Sequence, residues 1–423
     1  MAESKNIWVY ADWVDLKGAR LMGQLKIEPV RGKDVFSFHY EKSWLDSGYA
    51  LTIDPDLGLF TGPQYIRDEK VNFGIFTDSS PDRWGKLLMK RREALLARQE
   101  NRKSKVLLES DYLMGVFDLY RMGGIRYKLD PDGPFVDDNA GMAAPPLTSL
   151  RTLEAASLEL EKDDSIDSPK YGEWMNLLLA PGSSLGGARP KASVIDAKGH
   201  LWIAKFPSHT DDTDIGAWEA VVNNLAISAG INVSKGRAER FTTRQHTYLT
   251  KRFDRADNGE RIHFASAMTM LGYTDGADGG MGVSYLELAE FITRNGASPD
   301  QDLEELWKRI VFNICVNNTD DHLRNHGFLW HEKGWTLSPA YDINPVPIAT
   351  GLTLNINEDS NELSIDLARE VATQFRVSSH NREIIIDHII KAVNGWQAEA
   401  TKIGIPRREI QEMERAFDIT TKQ

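Results

Sequence analysis

The chain has 423 residues, of which 41% are hydrophobic, and a formal net charge of -12. Its single cysteine excludes a disulfide framework and a zinc site built from several thiolates, and fits a reducing cytosol. The acidic balance argues against broad, sequence-independent nucleic-acid binding by this chain alone. The N-terminal residues lack an apolar signal segment and no run of about 18 apolar residues occurs, which predicts a soluble, cytoplasmic protein with no membrane span.

The N-terminal part is predicted to be mixed strand and helix. Residues 7–10 and 36–40 alternate apolar and polar side chains, a pattern typical of short antiparallel strands. From Ser80 the apolar spacing becomes helical, with Pro81 placed in the first turn. The basic residues that follow, between 90 and 105, indicate a solvated helix face more than a binding patch. Residues 130–148 are rich in Pro, Gly and Asp and predict a linker or long surface loop.

Strands resume in the middle of the chain and helices follow. The predicted strands are 192–195 and 201–206, joined by a turn at 196–199. The predicted helices are 150–161, 219–229 (ending at Gly230), 285–294, 303–317 and 382–403. This order predicts an α+β fold, with a strand-rich lobe before a larger helical lobe as in protein kinases. The predicted domain ranges are 1–145, 146–255 and 256–423.

A polar loop directly after the predicted helix 303–317 has a residue pattern typical of a catalytic site. Asp320 and Asn325 have the D-x-x-x-x-N spacing of a kinase catalytic loop, in which a carboxylate accepts a hydroxyl proton and an amide oxygen binds Mg²⁺. Asp321 is one residue out of this register, and we expect it to face solvent or bind Arg324. His322 could act as an acid or base, but a structural hydrogen-bonding role beside the nucleotide is favoured.

A glycine-rich segment, Ser183–Lys191, precedes the first of the middle strands. Gly186 and Gly187 would let backbone N–H groups approach phosphate oxygens, while Ser184 and Lys191 supply further donors. The segment is neither a Walker A motif nor G-x-G-x-x-G, and an ordinary glycine-rich turn explains it about equally well. We treat these residues as candidate ATP ligands.

Two charged residues farther along could complete a nucleotide site. Lys205 lies inside an apolar strand, where an ammonium needs a partner such as a phosphate and a helix carboxylate. Glu219, in a predicted helix fourteen residues later, could be that carboxylate. The alternatives are a lysine on an edge strand that points into water and a glutamate favoured by the helix dipole.

Asp342 is the last candidate, seventeen residues after Asn325 and beyond a predicted hairpin of 328–330 and 335–337. A kinase places its second metal-binding Asp at this point of the chain. Asp342 and Asn325 together would offer the oxygen ligands that Mg²⁺ prefers. An Asp that only caps a turn before Asn344-Pro345 is the alternative.

Several of these segments together resemble the HipA-type serine/threonine kinases, which are toxins of bacterial type II toxin–antitoxin modules. The resemblance covers most of the chain, and it rests on residues 76–82, 183–191, 205–207, 251–255, 319–325 and 341–343. It implies a kinase-like two-lobed fold with an added N-terminal subdomain over 1–145. Departures from the family pattern are Arg189-Pro190, the helix from Asp82 and the insertion at 130–146.

The resemblance also implies an activity and partners. It implies that the chain uses ATP and Mg²⁺ to phosphorylate a protein serine or threonine, for example in an aminoacyl-tRNA synthetase. Asp320 would be the base, Asn325 and Asp342 the metal ligands, and Lys205 the phosphate ligand. Ser184 would be autophosphorylated, with Ser183 as the alternative acceptor. A small helix-turn-helix antitoxin would bind the kinase and would supply its contact with operator DNA.

Two functions from other classes stay open at this point. The chain could be a catalytically silent, ATP-binding partner or co-repressor of a helix-turn-helix protein. It could also be a small-molecule phosphotransferase, although the N-terminal 145 residues suit a protein partner better. Retention of Asp320, Asn325, Asp342 and Lys205 favours an active protein kinase.

Overall fold

Strands are concentrated in the first half of the chain, and helices dominate the second half. The computed structural model describes residues 4–67, 70–139, 144–162, 168–179, 187 and 189–422. The strands are β1 (Lys5–Ala11), β2 (Arg20–Val30), β3 (Lys33–Tyr40), β4 (Gln64–Tyr65), β5 (Ile125–Lys128), β6 (Lys191–Ile195), β7 (Leu201–Lys205), β8 (Gly236–Glu239), β9 (Thr247–Lys251), β10 (Phe264–Ser266), β11 (Gly327–His331) and β12 (Gly334–Leu337). The α-helices are α1 (Lys42–Leu45), α2 (Gly74–Asp78), α3 (Arg83–Gln99), α4 (Glu109–Met114), α5 (Leu150–Glu161), α6 (Tyr171–Leu179), α7 (Ile215–Ser228), α8 (Ala267–Met270), α9 (Tyr285–Asn295), α10 (Pro299–Val316), α11 (Ile365–Val371), α12 (Ser379–Val393), α13 (Trp396–Ile403) and α14 (Arg407–Met413).

The chain divides into two compact units, each made of two segments. Unit 1 consists of Met1–His209 and Arg252–Thr274. Unit 2 consists of Thr210–Lys251 and Asp275–Gln423. The three domain ranges expected from the sequence, with boundaries at 145 and 255, stay a prediction.

An antiparallel five-stranded sheet in the order β4-β3-β2-β1-β5 forms the first layer of unit 1. In β1 the apolar side chains of Ile7, Val9 and Ala11 are fully buried, as the alternating pattern predicts. The register of β1 and β2 shifts beside Val9, whose partner is Gly23. A Cβ at Gly23 would lie 2.3 Å from the His39 carbonyl oxygen, so this close approach of strands requires glycine.

Unit 1 also contains the β6–β7 hairpin, whose turn covers residues 196–200, where the sequence predicts a turn at 196–199. The Asp196 carboxylate accepts the backbone N–H groups of Lys198 and His200, both at 2.9 Å. Gly199 takes the positive φ of 86° that closes the turn. All five residues of β7 are buried, so its terminal lysine belongs to the interior of the unit.

A buried charge network lies at the start of the second segment of unit 1. Arg252 donates to both oxygens of the Asp254 carboxylate, at 2.8 and 2.6 Å, and Arg255 donates to Asp254 at 2.6 Å. Burial alone would raise the pKa of Asp254, but the two guanidinium groups hold it well below its ordinary value. The same carboxylate accepts the Gly123 N–H at 2.9 Å. The Arg-Phe-Asp-Arg segment, residues 252–255, is therefore bound to the loop around residue 123.

Helix α10 is the central helix of unit 2 and packs against α9, α11 and α12. The sequence predicts this helix at 303–317, and its apolar residues Leu303, Trp307 and Ile310 are fully buried. The predicted helix 382–403 is wrong, because α12 ends at Val393 and α13 starts at Trp396. Gly at the junction allows a separate start, and the Trp396 ring then stacks on Phe417 at 4.6 Å.

Several helix starts also differ from the prediction, among them those of α10 at Pro299 and α12 at Ser379. Helix α7 begins at Ile215, four residues before Glu219, because the Asp214 side chain caps it by accepting the Ala217 N–H at 3.2 Å. Pro81 lies just outside α3, since Asp82 is the N-cap. No helix in the described part of the chain is both long and apolar enough to span a membrane.

Candidate active site

The loop that follows α10 starts with two asparagines that fasten a later segment to it. Asn317 ends the helix with a left-handed φ of 53°, a conformation that Asn tolerates better than most residues. The Asn317 carbonyl accepts the Val346 N–H at 3.0 Å, and its side-chain amide donates to the Val346 carbonyl at 3.1 Å. The Asn318 side-chain oxygen accepts the Asn344 N–H at 3.2 Å. Residues 344–346 are thus paired with the start of the loop.

Asp320 and Asn325 share one tight turn. The His322 N–H donates to the Asp320 carbonyl at 3.0 Å, and the Asn325 N–H donates to the His322 carbonyl at 2.8 Å. The Asn325 side-chain amide folds back onto the Asp320 carbonyl at 2.8 Å. Asp320 is exposed, so its carboxylate is accessible to an acceptor hydroxyl.

Asn325 has the features of a metal ligand. The side chain is buried, and its Oδ1 has no hydrogen-bond partner within the described residues. A buried amide oxygen without a donor is costly unless a ligand completes it. Hard cations such as Mg²⁺ take oxygen ligands of this kind, so the residue fits the predicted role.

Asp321 does not face solvent and does not bind Arg324 in the structure, so that expectation is wrong. The residue is 4% exposed, and its carboxylate accepts the Tyr285 hydroxyl and the Asn313 amide, both at 2.5 Å. The His326 Nε2 lies 3.0 Å from the same oxygen. Burial alone would raise the pKa of Asp321, but the neighbouring His326 and the hydrogen bonds lower it. Asp321 is therefore a buried anchor of the loop.

The segment with Asp342 is held against the same loop. The Tyr341 hydroxyl donates to the Arg324 carbonyl at 2.7 Å. Asp342 has a positive φ of 58°, and the Asn344 side-chain amide donates to its carboxylate at 3.3 Å. Because residues 344–346 are also tied to Asn317 and Asn318, Asp342 comes from a segment fastened to the loop of Asp320.

Glu219 is buried on α7 in unit 2. Burial raises the pKa of the Tyr248 hydroxyl well above its ordinary value, and the negative charges of Glu219 and Asp342 raise it further. The two carboxylates therefore lie near the same hydroxyl. Lys205 belongs to unit 1, and its ion pair with Glu219 stays a prediction.

The candidate nucleotide residues of unit 1 are only partly described. Ser183, Ser184 and Gly186 lie outside the described residues, whereas Gly187 is exposed. Lys191 and Lys205 are both buried and are direct partners in the β6–β7 register. Lys191 forms a buried ion pair with Asp82 at 2.8 Å and donates to the Gly187 carbonyl at 3.1 Å.

The structure gives buried, structural roles to two acidic residues for which the sequence did not predict such a role. Asp82 and Asp321 are both almost fully buried, and each binds groups that are distant in sequence. For Asp321 the available signal was its position beside Asp320, since only one of the two fits the D-x-x-x-x-N spacing. For Asp82 the only signal was the segment 76–82 that carries part of the family resemblance. His322 is half-buried, and its Nδ1 has no partner within the described residues, so its role stays a prediction.

Two curated proteins are similar to this chain in sequence. The chain is 28% identical over 182 residues to a protein of Sinorhizobium fredii provisionally named as a kinase, Y4mE, covering 38% of this chain and 41% of that protein. It is 25% identical over 194 residues to a protein of Haemophilus influenzae that is also provisionally named as a kinase, covering 41% of this chain and 56% of that protein. The matches thus span about half the length of these curated relatives.

The fold is shared with a solved structure over nearly the whole chain. HipA of Shewanella oneidensis, solved with HipB and operator DNA, has a TM-score of 0.64 at 17% identity and covers 97% of this chain and 95% of that one. This likeness confirms the predicted α+β, protein-kinase-like fold class. A family model described as the HipA-like C-terminal domain matches residues 183–397, which is just over half of the chain. The chain therefore belongs to the HipA-like family.

Proposed function

We propose that this protein is an ATP- and Mg²⁺-dependent serine/threonine protein kinase. The observation that carries the proposal is the turn shared by Asp320 and Asn325. One end of the Asn325 amide is bound to the Asp320 carbonyl, and the other end is a buried oxygen without a described partner. The turn thus pairs an exposed carboxylate with an oxygen suited to a cation, as phosphoryl transfer requires.

Each residue has a distinct task in this proposal. The Asp320 carboxylate orients the attacking hydroxyl and accepts its proton. Asn325 and Asp342 supply oxygens to Mg²⁺, which would neutralise charge on the transferred phosphoryl group. Lys205 contacts the ATP phosphates, and Glu219 is a further candidate residue of the nucleotide site. Asp321 holds the loop through Tyr285, which keeps the base in place.

The acceptor and the partners are the finer parts of the proposal. We infer that the acceptor is a serine or threonine of a protein involved in translation, such as an aminoacyl-tRNA synthetase. Ser184, or alternatively Ser183, would be the autophosphorylation site beside the bound nucleotide. The likeness to HipA of Shewanella oneidensis, which was solved with HipB and operator DNA, supports a small helix-turn-helix antitoxin as partner. The net charge of -12 suits DNA contact through that partner only.

Transfer of labelled γ-phosphate from ATP tests the catalytic assignment. We expect the purified protein to label itself and a protein acceptor. Asp320→Asn should lower the rate at least about 100-fold, in line with the usual contribution of a general base. Asp342→Asn should lower the rate as well, because it removes an oxygen ligand of Mg²⁺. Asp359→Asn, an exposed acidic residue in the same unit, is the matched control and should keep full activity. Undiminished transfer by both site variants would reject the proposal.

Two further measurements test the finer parts. Peptide mass spectrometry of the autophosphorylated protein should place the phosphate on Ser184 or Ser183, and the variant with Ser184→Ala should separate the two. Co-purification with a helix-turn-helix protein encoded beside this chain should bring operator DNA into the complex. A phosphate found elsewhere would overturn the acceptor assignment, and DNA binding by the chain alone would overturn the partner assignment.

A further inference from the structure

Two buried lysines lie side by side on the β6–β7 hairpin. Lys191 and Lys205 are direct partners in the antiparallel register, so their side chains lie on the same face of the hairpin. Both residues are almost completely buried, at 5% and 6% exposure. Two ammonium groups in this arrangement repel each other, and the repulsion is screened little in a buried position. A stable hairpin with both lysines charged therefore needs a nearby negative group.

Asp82 supplies negative charge for Lys191. One oxygen of its carboxylate accepts the Lys191 ammonium at 2.8 Å, and both side chains are at most 4% exposed. The other oxygen accepts the Gly85 N–H at 2.8 Å and caps α3. The Trp84 indole also donates to the Lys191 carbonyl at 3.1 Å. The start of α3 thus binds both the side chain and the backbone of Lys191.

The same ammonium reaches the glycine-rich segment. Lys191 donates to the Gly187 carbonyl at 3.1 Å, so its ammonium has two acceptors. A buried lysine with a carboxylate and a carbonyl as partners is oriented by them. Lys191 thus uses its ammonium to bind protein groups, whereas a phosphate ligand would use its ammonium to bind the nucleotide.

We propose that Asp82 is a positioning residue for nucleotide binding, acting through Lys191 on Gly187. The inference rests on the proposed kinase function and refines it. Lys205 is the phosphate ligand of the hairpin, whereas Lys191 is an anchor whose charge Asp82 balances. The affinity for ATP is therefore set in part by the start of α3, which lies far from the ATP-binding residues in sequence.

A set of variants separates positioning from simple stability. Asp82→Asn leaves a buried ammonium without its counter-ion, so we expect both a lower urea midpoint and weaker ATP binding. The double variant Asp82→Leu with Lys191→Met replaces the pair by apolar side chains of similar size, which usually restores stability. It still lacks the bond to Gly187, so its Kd for ATP should stay about tenfold above that of the wild type. Lys198→Met, in the exposed turn of the same hairpin, is the matched control for lysine loss.

Two readouts decide the outcome, namely the urea midpoint and the Kd for ATP from calorimetry without an acceptor protein. Recovery of both values together in the double variant would show that the ion pair is only structural and would overturn the inference. Loss of ATP binding on Lys191→Met as large as that on Lys205→Met would also overturn it, since Lys191 would then be a phosphate ligand.

Hydrogen exchange without nucleotide keeps this inference separable from the proposed function. Peptides that span 189–195 should exchange faster in Asp82→Asn and in the double variant than in the wild type, whatever the activity of the protein. Unchanged exchange would reject the anchoring role. A wild-type protein with protected peptides but no ATP binding would reject the proposed kinase function and the effect on nucleotide, and would leave the anchor standing as a structural feature.

Discussion

The same substitution, Asp to Asn, is expected to have different effects at the adjacent residues Asp320 and Asp321. At Asp320 it should lower phosphate transfer, and at Asp321 it should lower stability. Asp320→Asn removes an exposed carboxylate, so it should lower phosphate transfer and leave the free energy of unfolding within about 0.5 kcal/mol of the wild type, as for surface changes. Asp321→Asn alters a buried carboxylate that accepts two hydrogen bonds and lies beside His326. It should therefore destabilise the fold.

The magnitude follows from the contacts of Asp321. A hydrogen bond to a charged group contributes about 1.5–3 kcal/mol, and an amide in this place keeps the shape but loses the charge. If the Asn nitrogen faces Tyr285 or Asn313, one donor then meets another donor. We expect a loss of about 2–4 kcal/mol in the free energy of unfolding. Because the folded-state pKa of Asp321 is lowered, this stabilisation is present above the unfolded pKa of about 3.9 and is lost as the pH falls through the folded value.

Urea unfolding at pH 7 and at pH 3, together with initial rates of phosphate transfer, measures both effects. The difference in stability between wild type and Asp321→Asn should shrink from pH 7 to pH 3. Equal destabilisation by the two substitutions would refute the division of roles between exposed base and buried anchor. An Asp321→Asn protein with unchanged stability at pH 7 would refute the energetic reasoning directly.

The remaining predictions concern the metal, the charge network of unit 1 and a buried histidine. Asn325→Ala should raise the Mg²⁺ concentration for half-maximal transfer at least about tenfold, because it removes an oxygen ligand; an unchanged Mg²⁺ titration would argue against this role. Asp254→Asn should cost about 3–5 kcal/mol in urea unfolding, since it leaves Arg252 and Arg255 buried without their carboxylate; a cost below 1 kcal/mol would contradict that expectation. Burial lowers the pKa of His263 to about 3, so the unfolded chain binds its proton first and stability should fall as the pH drops from about 6.5 towards 3. His263→Phe should reduce this loss in acid, and a pH profile identical to that of the wild type would exclude the histidine as its source.

Local patterns in the sequence were enough for several elements. Helix α5 was predicted at its observed bounds, and the β6–β7 and β11–β12 hairpins were predicted within a residue or two. These elements depend on apolar spacing and turn residues that lie close together in the chain. The break between α12 and α13 was missed because an Asn-Gly pair inside a helical pattern is a weak signal until Trp396 finds its partner Phe417.

By itself the sequence determined the order of the candidate site, namely Lys205, Asp320, Asn325 and Asp342, because spacing within a loop and position after a strand or helix are local properties. The tertiary structure alone decided which of the charged side chains are buried and what they bind. Asp321 meets a tyrosine 36 residues away, and Lys191 meets an aspartate 109 residues away. Such pairs form only when the fold brings distant segments together, and the cost of burying a charge then requires a partner.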